Sequence, residues 1–472
     1  MFNQRSGLDS LLVLRAELNS VIDRVASNAL DPLPALDDLY SPVTNPSADV
    51  LEATRLAREI VALLQGTRGT IEKSYIYHVP ACMCVVIEAH VAETLREASV
   101  AGKPALHVEE IAKSSCINPS KLARVLRLLA AHHIFVETEP DVFALNRPAM
   151  PLDTGKSVKE LVESKPAEWF NGTDGVAALI SNATENMAKA ATTLADVLLS
   201  PSLTNLTSPE DGPFAQHFGE PAWEYFNREG NERHLNRFAA AMRSLQITDQ
   251  GGKDRKGFPF HDLPDGATVV DVGSGVGGAS LALAKSLPKV NFVLQDQKEV
   301  IEGAAKQVWR QSRPSEVYLA DGSVSQLWEK EVPEALESGR VKLMPHDFFG
   351  PQPVKGADVY FLRAIIHDWD DANSIKILSQ LADAASSTSK LVLIERPYSY
   401  LSPSSSGSSA ALDPLFPLVD LQMLVACNGQ ERTKEQHEAL AAKAGWRMGK
   451  VWTTGAAERQ EGLFREYEFV KV

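Results

Sequence analysis

One stretch of the sequence, VVDVGSGVGGASLALAKSLPKVNFVLQD at residues 269–296, restricts the possible folds more than any other. An apolar strand runs into glycines, a helix-forming segment follows, and a second strand ends in an acid, which is the outline of a nucleotide-binding βαβ unit. Gly273, Gly275 and Gly278 have the spacing of the dinucleotide fingerprint. The stretch predicts an adenosine-containing ligand, and leaves open whether this is a nicotinamide dinucleotide or another adenosine cofactor.

Length and composition narrow the class of protein. The chain has 472 residues, more than a single core usually holds, so we expect two or three domains. A formal net charge of -14 argues against binding a nucleic acid backbone as the main task. The four cysteines include no C-x-x-C pair, which favours a reduced, cytoplasmic location. We expect neither a signal peptide nor a membrane span, because no apolar run approaches about 18 residues.

The first half of the chain is predicted to be mainly helical, in three regions. Residues 1–75 carry apolar residues at helical spacing, and these helices could pack on their own chain or in a dimer. Residues 76–150 contain the pattern of a winged helix, Leu106 to Asn146, with either a DNA-binding or a dimerising role. Its second helix offers only Lys121, Arg124 and Arg127 to a phosphate backbone, which favours dimerisation. Residues 151–255 are predicted to form a helical bridge between the two halves of the chain.

The second half, residues 256–472, changes character after the polar joint TDQGGKDRKG. Apolar strands alternate with helical stretches, which predicts a Rossmann-like, doubly wound, mostly parallel α/β sheet. Five such strands are followed by two closing strands, for a seven-stranded sheet. The Ser-rich stretch 402–414 is expected to be a loop.

The chemistry is expected just after the strands, since ligands bind at the carboxyl ends of parallel strands. Asp296 ends the second strand and could accept hydrogen bonds from ribose hydroxyls, which suits either cofactor. Asp347 and Phe348 follow the third strand, and the fourth leads into HDWDD, where Trp369 offers a face for an adenine. In the same motif, His367 has an ordinary pKa near 6.5 and could remove a proton from a hydroxyl. Asp370 and Asp371 are expected to cap the next helix.

Together these motifs resemble a known family. The segments VVDVGSGVGGASLALA, HDFFGPQPVKGADVYFLRAIIHDWDD and NGQERTKEQHEALAAKAGW are similar to the class I S-adenosylmethionine-dependent small-molecule O-methyltransferases, of the caffeate and fungal polyketide type. The similarity covers roughly residues 214–452, and the winged helix resembles the family's dimerisation domain. It implies S-adenosyl-L-methionine as cofactor, a phenolic acceptor from secondary metabolism and a homodimer.

The resemblance also implies roles for individual residues. His367 would deprotonate the acceptor hydroxyl, flanked by Glu395 and Glu431, although Glu395 could instead serve backbone groups and Glu431 a helix N-terminus. The positions that match the family's cofactor site are Asp271, Gly273, Gly275, Asp296, Asp347, Phe348, Arg363 and Trp369. The expected acceptor-site residues are Met242, Met423 and Asn428, while Trp223, Phe226 and Phe238 on the bridge are as compatible with a core. No metal is expected.

Two further enzymatic interpretations stay open at this point. A dehydrogenase would explain the glycines but not HDWDD, NGQERT or the closing strands. A methyltransferase-fold pericyclase or decarboxylase would keep the cofactor and use the pocket for another reaction.

Overall fold

A computed structural model of the chain describes residues 7–27, 37–38, 48–248, 257–275, 277–301, 328–329, 331–398, 415–453 and 464–472. These residues fall into two compact units. The first runs up to Ser164 and includes Ala183–Glu185, and the second holds Lys165–Asn182 and the described residues from Asn186 onwards. The four-part division expected from the sequence is finer than this and stays a prediction. The Ser-rich stretch 402–414 and most of the joint at 248–257 lie outside the described residues.

The first unit is helical with a small sheet. Its strands β1 (Ala105–His107), β2 (Val136–Glu139) and β3 (Val142–Ala144) pair antiparallel in the order β1-β3-β2. With the helices between β1 and β2 they form the expected winged helix. The described helices of this unit are Gly7–Ser27, Ala48–Ser74, His78–Glu88, Val91–Val100, Val108–Ile111, Pro119–Ala131 and Val158–Glu163.

The β2–β3 hairpin, which is the wing of the winged helix, neutralises part of the positive charge of its second helix. Arg127 forms ion pairs of 2.8 Å with Glu137 and 2.7 Å with Asp141, both on the β2–β3 hairpin. None of the described helices alone is long and apolar enough to cross a membrane. The consecutive helices His78–Glu88 and Val91–Val100, bent by 56°, meet that length and composition only as a pair.

The second unit is built on a seven-stranded sheet in the order β6-β5-β4-β7-β8-β10-β9. Strands β4 to β8 run parallel, and β10 and β9 close the sheet antiparallel. This confirms the predicted fold class. The strands are β4 (Thr268–Val272), β5 (Asn291–Asp296), β6 (Val341–Pro345), β7 (Val359–Arg363), β8 (Lys390–Glu395), β9 (Trp446–Thr453) and β10 (Arg465–Lys471).

Both faces of this sheet are covered. Alternate strand residues enter two hydrophobic clusters, so that Val270 lies in one with helix Asp371–Ala384 and Val269 lies in the other. Because β4 to β8 run parallel, their carboxyl ends lie along one edge of the sheet. The described helices of this unit are Val176–Asn182, Ala188–Ala191, Leu194–Leu198, Pro213–Phe218, Ala222–Asn227, Glu232–Thr248, Gly278–Ser286, Lys298–Ile301, Pro333–Glu337, Asp371–Ala384, Leu415–Cys427 and Lys434–Lys443.

Candidate functional site

The glycine loop after β4 has a backbone that other residues could not adopt without strain. Gly273 has φ +73°, and a Cβ there would lie 2.5 Å from Ile365 Cδ1. Gly275 also has a positive φ of 55°. Gly277 was not singled out in the sequence, yet it has φ +78° and a Cβ there would lie 2.3 Å from Leu294 Cδ2. The third fingerprint glycine, Gly278, is the first residue of helix Gly278–Ser286.

Two acids stand at this loop. Asp296 accepts hydrogen bonds from the backbone N–H of Gly275 at 2.8 Å and of Gln297 at 2.7 Å, one on each carboxylate oxygen. Each oxygen keeps a lone pair that could accept from a ribose hydroxyl. Asp271 is buried and accepts from Ser280 Oγ at 2.5 Å. Burial raises the pKa of Asp271 to about 7 against the lowering effect of Ser280.

The loop after β6 carries Asp347, which is exposed and accepts from the Phe349 N–H at 2.9 Å. Phe348 and Phe349 both meet Trp369 edge-on, with ring centroids 5.9 and 4.8 Å apart. These rings join the ends of β6 and β7 in one aromatic cluster. Arg363, at the end of β7, lies over the Phe464 ring at 4.7 Å. The structure thus brings the predicted cofactor residues to one edge of the sheet.

The imidazole of His367 is surrounded by carboxylates. Its Nδ1 lies 2.9 Å from Glu431 Oε1 and 4.0 Å from Glu395 Oε2, and its Nε2 lies 3.6 Å from Asp368 Oδ1. Burial lowers the pKa of His367, but Asp368, Glu395 and Glu431 together outweigh it and raise the pKa to about 10. The His367 side chain is only 12% exposed.

Glu395 makes contacts with backbone groups and also lies beside His367. Oε1 accepts from the backbone N–H of Ile365 at 3.1 Å and of Ile366 at 2.8 Å, which fixes the start of the segment that carries His367. Oε2 is buried, has no hydrogen-bond partner and faces His367. Burial raises the pKa of Glu395 to about 7, against the lowering effect of His367.

Glu431 does not cap the helix that follows it. Helix Lys434–Lys443 is capped by Thr433 and Gln436 in a reciprocal capping box. The backbone N–H of Glu431 instead donates to Asp420 Oδ1 at 2.8 Å, which leaves its carboxylate directed at His367. Asp420 had not been identified from the sequence.

Arg432 is a second residue that the sequence did not reveal. It is buried, and its guanidinium donates to the carbonyls of Ile366 at 2.8 Å and Trp369 at 2.7 Å. It also pairs with Asp371 at 2.9 Å. Asp370 caps helix Asp371–Ala384 as predicted, with its side chain accepting from the Asn373 N–H. The cap expected from Asp371 is replaced by this ion pair with Arg432.

The expected acceptor residues lie on three segments. Met242 is half-buried on helix Glu232–Thr248, and Met423 is half-buried on helix Leu415–Cys427. Asn428 lies just past that helix, with φ 57°, and donates to the carbonyls of Leu206 at 3.1 Å and Ser208 at 3.0 Å. The bridge aromatics pack as core: Phe226 stacks on Phe238 at 4.8 Å, and Trp223 meets Phe238 edge-on at 5.4 Å.

The cluster of His367, Glu395 and Glu431 also has a geometry that could hold a cation, since one ligand atom from each lies within 4.8 Å of the others. The family resemblance groups the same three residues as a base with two flanking acids, and does not imply a metal site. The expected absence of a metal stays a prediction.

Comparisons with known proteins identify the family of the chain. A family model described as an O-methyltransferase domain matches residues 202–336 and 328–447, and an O-methyltransferase dimerisation domain matches residues 72–149. An O-methyltransferase of Armillaria gallica is 34% identical over 477 residues, covering 94% of this chain and 95% of the relative. A protein named 4-O-methyltransferase 1 of Phanerochaete chrysosporium is 32% identical, covering 95% and 96%.

The chain belongs to the S-adenosylmethionine-dependent O-methyltransferases. The dehydrogenase and DNA-binding interpretations are therefore set aside.

Solved structures support the fold of this O-methyltransferase. OxaC, in complex with sinefungin and meleagrin, has a TM-score of 0.67 at 17% identity and covers 98% of this chain and 99% of its own. A structure titled a pericyclic reaction enzyme has a TM-score of 0.62 at 19% identity and covers 98% and 100%.

Proposed function

We propose that this O-methyltransferase methylates a phenolic hydroxyl of a small aromatic or polyketide-type molecule, with His367 as the general base. The observation that carries the proposal is the 2.9 Å hydrogen bond between His367 Nδ1 and Glu431 Oε1. In the neutral form of the imidazole, the proton on Nδ1 is held by the carboxylate, and the Nε2 lone pair can then take a proton from the acceptor.

The residues at the sheet edge fit the cofactor. The glycine backbone leaves room where a Cβ would collide, Asp296 has lone pairs for ribose hydroxyls, and the Asp271 carboxylate suits an ammonium group. When bound, S-adenosylmethionine would supply a methyl group on its sulfonium sulfur, to which an oxyanion would bond as the carbon–sulfur bond breaks and S-adenosylhomocysteine leaves. Asp347, Phe348, Arg363 and Trp369 would hold the adenosine part.

The proton transfer to His367 favours a phenol as the methyl acceptor. The hydroxyl proton moves to His367 Nε2, and the acceptor oxygen keeps the electron pair with which it attacks. Phenols have a pKa of about 10, and the surrounding carboxylates raise the pKa of His367 to about 10 against the lowering effect of burial. Transfer from a phenol is then nearly balanced, whereas an aliphatic alcohol holds its proton far more tightly. Met242, Met423 and Asn428 are proposed to border the acceptor.

The test compares His367→Ala with His261→Ala, which removes an exposed histidine that is 74% exposed. With a panel of phenols and labelled cofactor, we expect His367→Ala to lower methyl transfer by about 10² to 10⁴ fold. Affinity for S-adenosylhomocysteine, measured by calorimetry, should stay near that of the unchanged protein. Near-normal transfer by His367→Ala would contradict the general-base role. Conversion of an acceptor to an isomer or a decarboxylated product without methylation would favour the pericyclase or decarboxylase alternative.

The proposal includes catalysis without a metal. Dialysis against a chelator should leave methyl transfer unchanged, because the base is already oriented by Glu431. Loss of activity that added Mg²⁺ or Zn²⁺ restores would instead assign the cluster of His367, Glu395 and Glu431 to a cation.

We also infer a homodimer formed through the N-terminal helices and the winged helix. The match of residues 72–149 to a dimerisation domain supports it. So does the series of exposed apolar side chains on and after the second helix, namely Val61, Leu63, Leu64, Ile71, Tyr75, Ile76 and Tyr77. The four cysteines all lie among the described residues and none of them forms a disulfide.

A further inference from the structure

Two buried amide side chains pair with each other beside the cofactor residues. Gln295, on β5, and Gln352, in the loop after β6, are each 1% exposed. Gln295 Nε2 donates to Gln352 Oε1 at 2.8 Å, and Gln352 Nε2 donates back to Gln295 Oε1 at 2.8 Å. Two reciprocal hydrogen bonds allow the pair little freedom of distance or angle.

The orientation of this pair is fixed by its surroundings. The backbone N–H of Val354 donates to Gln352 Oε1 at 3.0 Å, so the oxygen of that amide must face it. The amide nitrogen of Gln295 is therefore the group that meets Gln352 Oε1, and it also donates to Met344 Sδ at 3.3 Å. Swapping the two ends of either amide would place two donors or two acceptors together.

Gln295 connects the pair to the rest of the cofactor site. Its backbone carbonyl accepts from the N–H of Gly273 at 2.8 Å and of Ser274 at 3.0 Å, which holds the glycine loop. The next residue, Asp296, accepts from the Gly275 N–H. Gln352 lies in the loop that begins with Asp347 and Phe348. Through Gln295 and Gln352, the pair thus joins the glycine loop, Asp296 and the loop that begins with Asp347.

The Asp347 loop needs such an anchor because of its place in the sheet. It follows β6, which is an edge strand of the sheet as described and, among the described strands, pairs only with β5. Asp347 is exposed. Two apolar side chains could fill the same buried volume without the cost of removing two amides from water, but they would not fix an orientation.

We propose that the Gln295–Gln352 pair is a positioning device for the adenosine end of the cofactor. It sets the distance between the Asp347 loop and the glycine loop, and so controls affinity for S-adenosylmethionine and S-adenosylhomocysteine without touching the reacting atoms. The proposal rests on the cofactor part of the proposed function and is independent of the acceptor and of His367.

The experiment uses the full chain with Gln295→Met, Gln352→Met and the double variant, each assayed by calorimetry with S-adenosylhomocysteine and by thermal unfolding. Each single variant leaves the remaining buried amide without its two hydrogen bonds to the other glutamine, so we expect Kd to rise about five- to a hundredfold and Tm to fall. In the double variant both polar groups are gone, so Tm should recover while Kd stays high. With saturating cofactor, kcat should change little, so the effect appears in the cofactor KM.

Trp446→Phe is the matched control, because it removes another buried hydrogen bond of the same unit, from Trp446 Nε1 to the Leu378 carbonyl at 3.0 Å. It should lower Tm and leave Kd unchanged. A double variant whose Kd returns to normal would overturn the proposal, since packing alone would then suffice. The proposal would also be overturned if the single variants lowered Tm but raised Kd no more than Trp446→Phe does. Because binding is measured without acceptor, neither result depends on whether phenols are methylated.

Discussion

His367 is held by negative charge on both sides of its ring, and this determines how its activity should depend on pH. A base must be neutral to accept a proton. Burial alone would lower the pKa of His367, but Asp368, Glu395 and Glu431 raise it to about 10, so most of the imidazole is protonated at neutral pH. For a phenol that stays un-ionised, kcat/KM should therefore rise with pH from neutrality towards about 10.

Glu431→Gln tests the cause of that rise. Replacing the carboxylate removes the negative charge 2.9 Å from Nδ1, so the pKa of His367 should fall by about 1 to 3 units and the rising part of the profile should move to lower pH by the same amount. We also expect a lower plateau, because an amide orients the ring less firmly. The measurement is kcat/KM between neutral and alkaline pH, with the exposed Glu334→Gln as control. An unmoved profile would contradict the assigned role of Glu431.

Asp271 predicts a pH dependence of a different kind, in cofactor binding. Burial raises its pKa to about 7, and only the ionised carboxylate attracts the ammonium group of the cofactor. As pH falls below about 7, the acid takes up a proton and affinity for S-adenosylhomocysteine should weaken, by up to about tenfold per pH unit. Calorimetry between mildly acidic and neutral pH checks this. Asp271→Asn should bind S-adenosylhomocysteine weakly at every pH in this range. If the affinity of that variant depended on pH as steeply as that of the unchanged protein, Asp271 would be excluded as the titrating group.

At the scale of elements, Arg432 connects the two segments that carry the proposed catalytic residues. Its guanidinium joins the segment that carries His367 to the segment that carries Glu431, through two carbonyls and Asp371. Nothing else among the described contacts has three partners in the 366–371 segment. The Gln430 N–H also donates to the His367 carbonyl at 2.9 Å, so the distance from His367 to Glu431 should depend on Arg432 together with this backbone bond.

Arg432→Lys is expected to break this connection, because one ammonium cannot reach three acceptors in a fixed plane. Misplacement of a catalytic group by about 1 Å can cost about 10² fold in rate, so we expect a loss of kcat of that order with little change in cofactor affinity. Asp371→Asn is the control, since the Asp371 side chain is 61% exposed and an amide oxygen still accepts from Arg432. If kcat is unchanged in Arg432→Lys, the segments are held by other contacts.

The sequence was sufficient to predict the helices, the strands and the edge of the sheet where the site forms. The signals for these features each lie within a short segment of the chain. Strand periodicity, glycines at a turn and acids at strand ends are read within a few neighbouring residues. Arg432 and the Gln295–Gln352 pair were not predictable in this way. Arg432 bonds the carbonyl of Ile366, 66 residues away, and the two glutamines are 57 residues apart. A main-chain carbonyl leaves no mark in the sequence, and neither does a partner brought close only by the fold.

At the scale of the whole molecule, the N-terminal helices carry several large apolar side chains that are exposed, and clusters of such side chains mark interaction surfaces. Leu64 is 68% exposed and Ile71 is 57% exposed, and the second of them adjoins the region that matches a dimerisation domain. Because these side chains carry no charge, ion pairing does not explain their exposure. Burial against a second copy of the chain accounts for them and for the family match together.

The last prediction tests that dimer with Leu64→Glu and Ile71→Glu combined. Covering each apolar side chain contributes about 1.5 to 3 kcal/mol, and a buried, unpaired carboxylate opposes association, so the variant should elute as a monomer in light-scattering chromatography at concentrations where the unchanged protein is dimeric. Leu199→Glu alters a leucine that is 81% exposed in the other unit and should leave the dimer intact. Because Leu64 and Ile71 lie outside the unit that carries the cofactor residues, the monomer should still bind S-adenosylhomocysteine. A dimer that persists in the doubly charged variant would place the interface elsewhere on the chain.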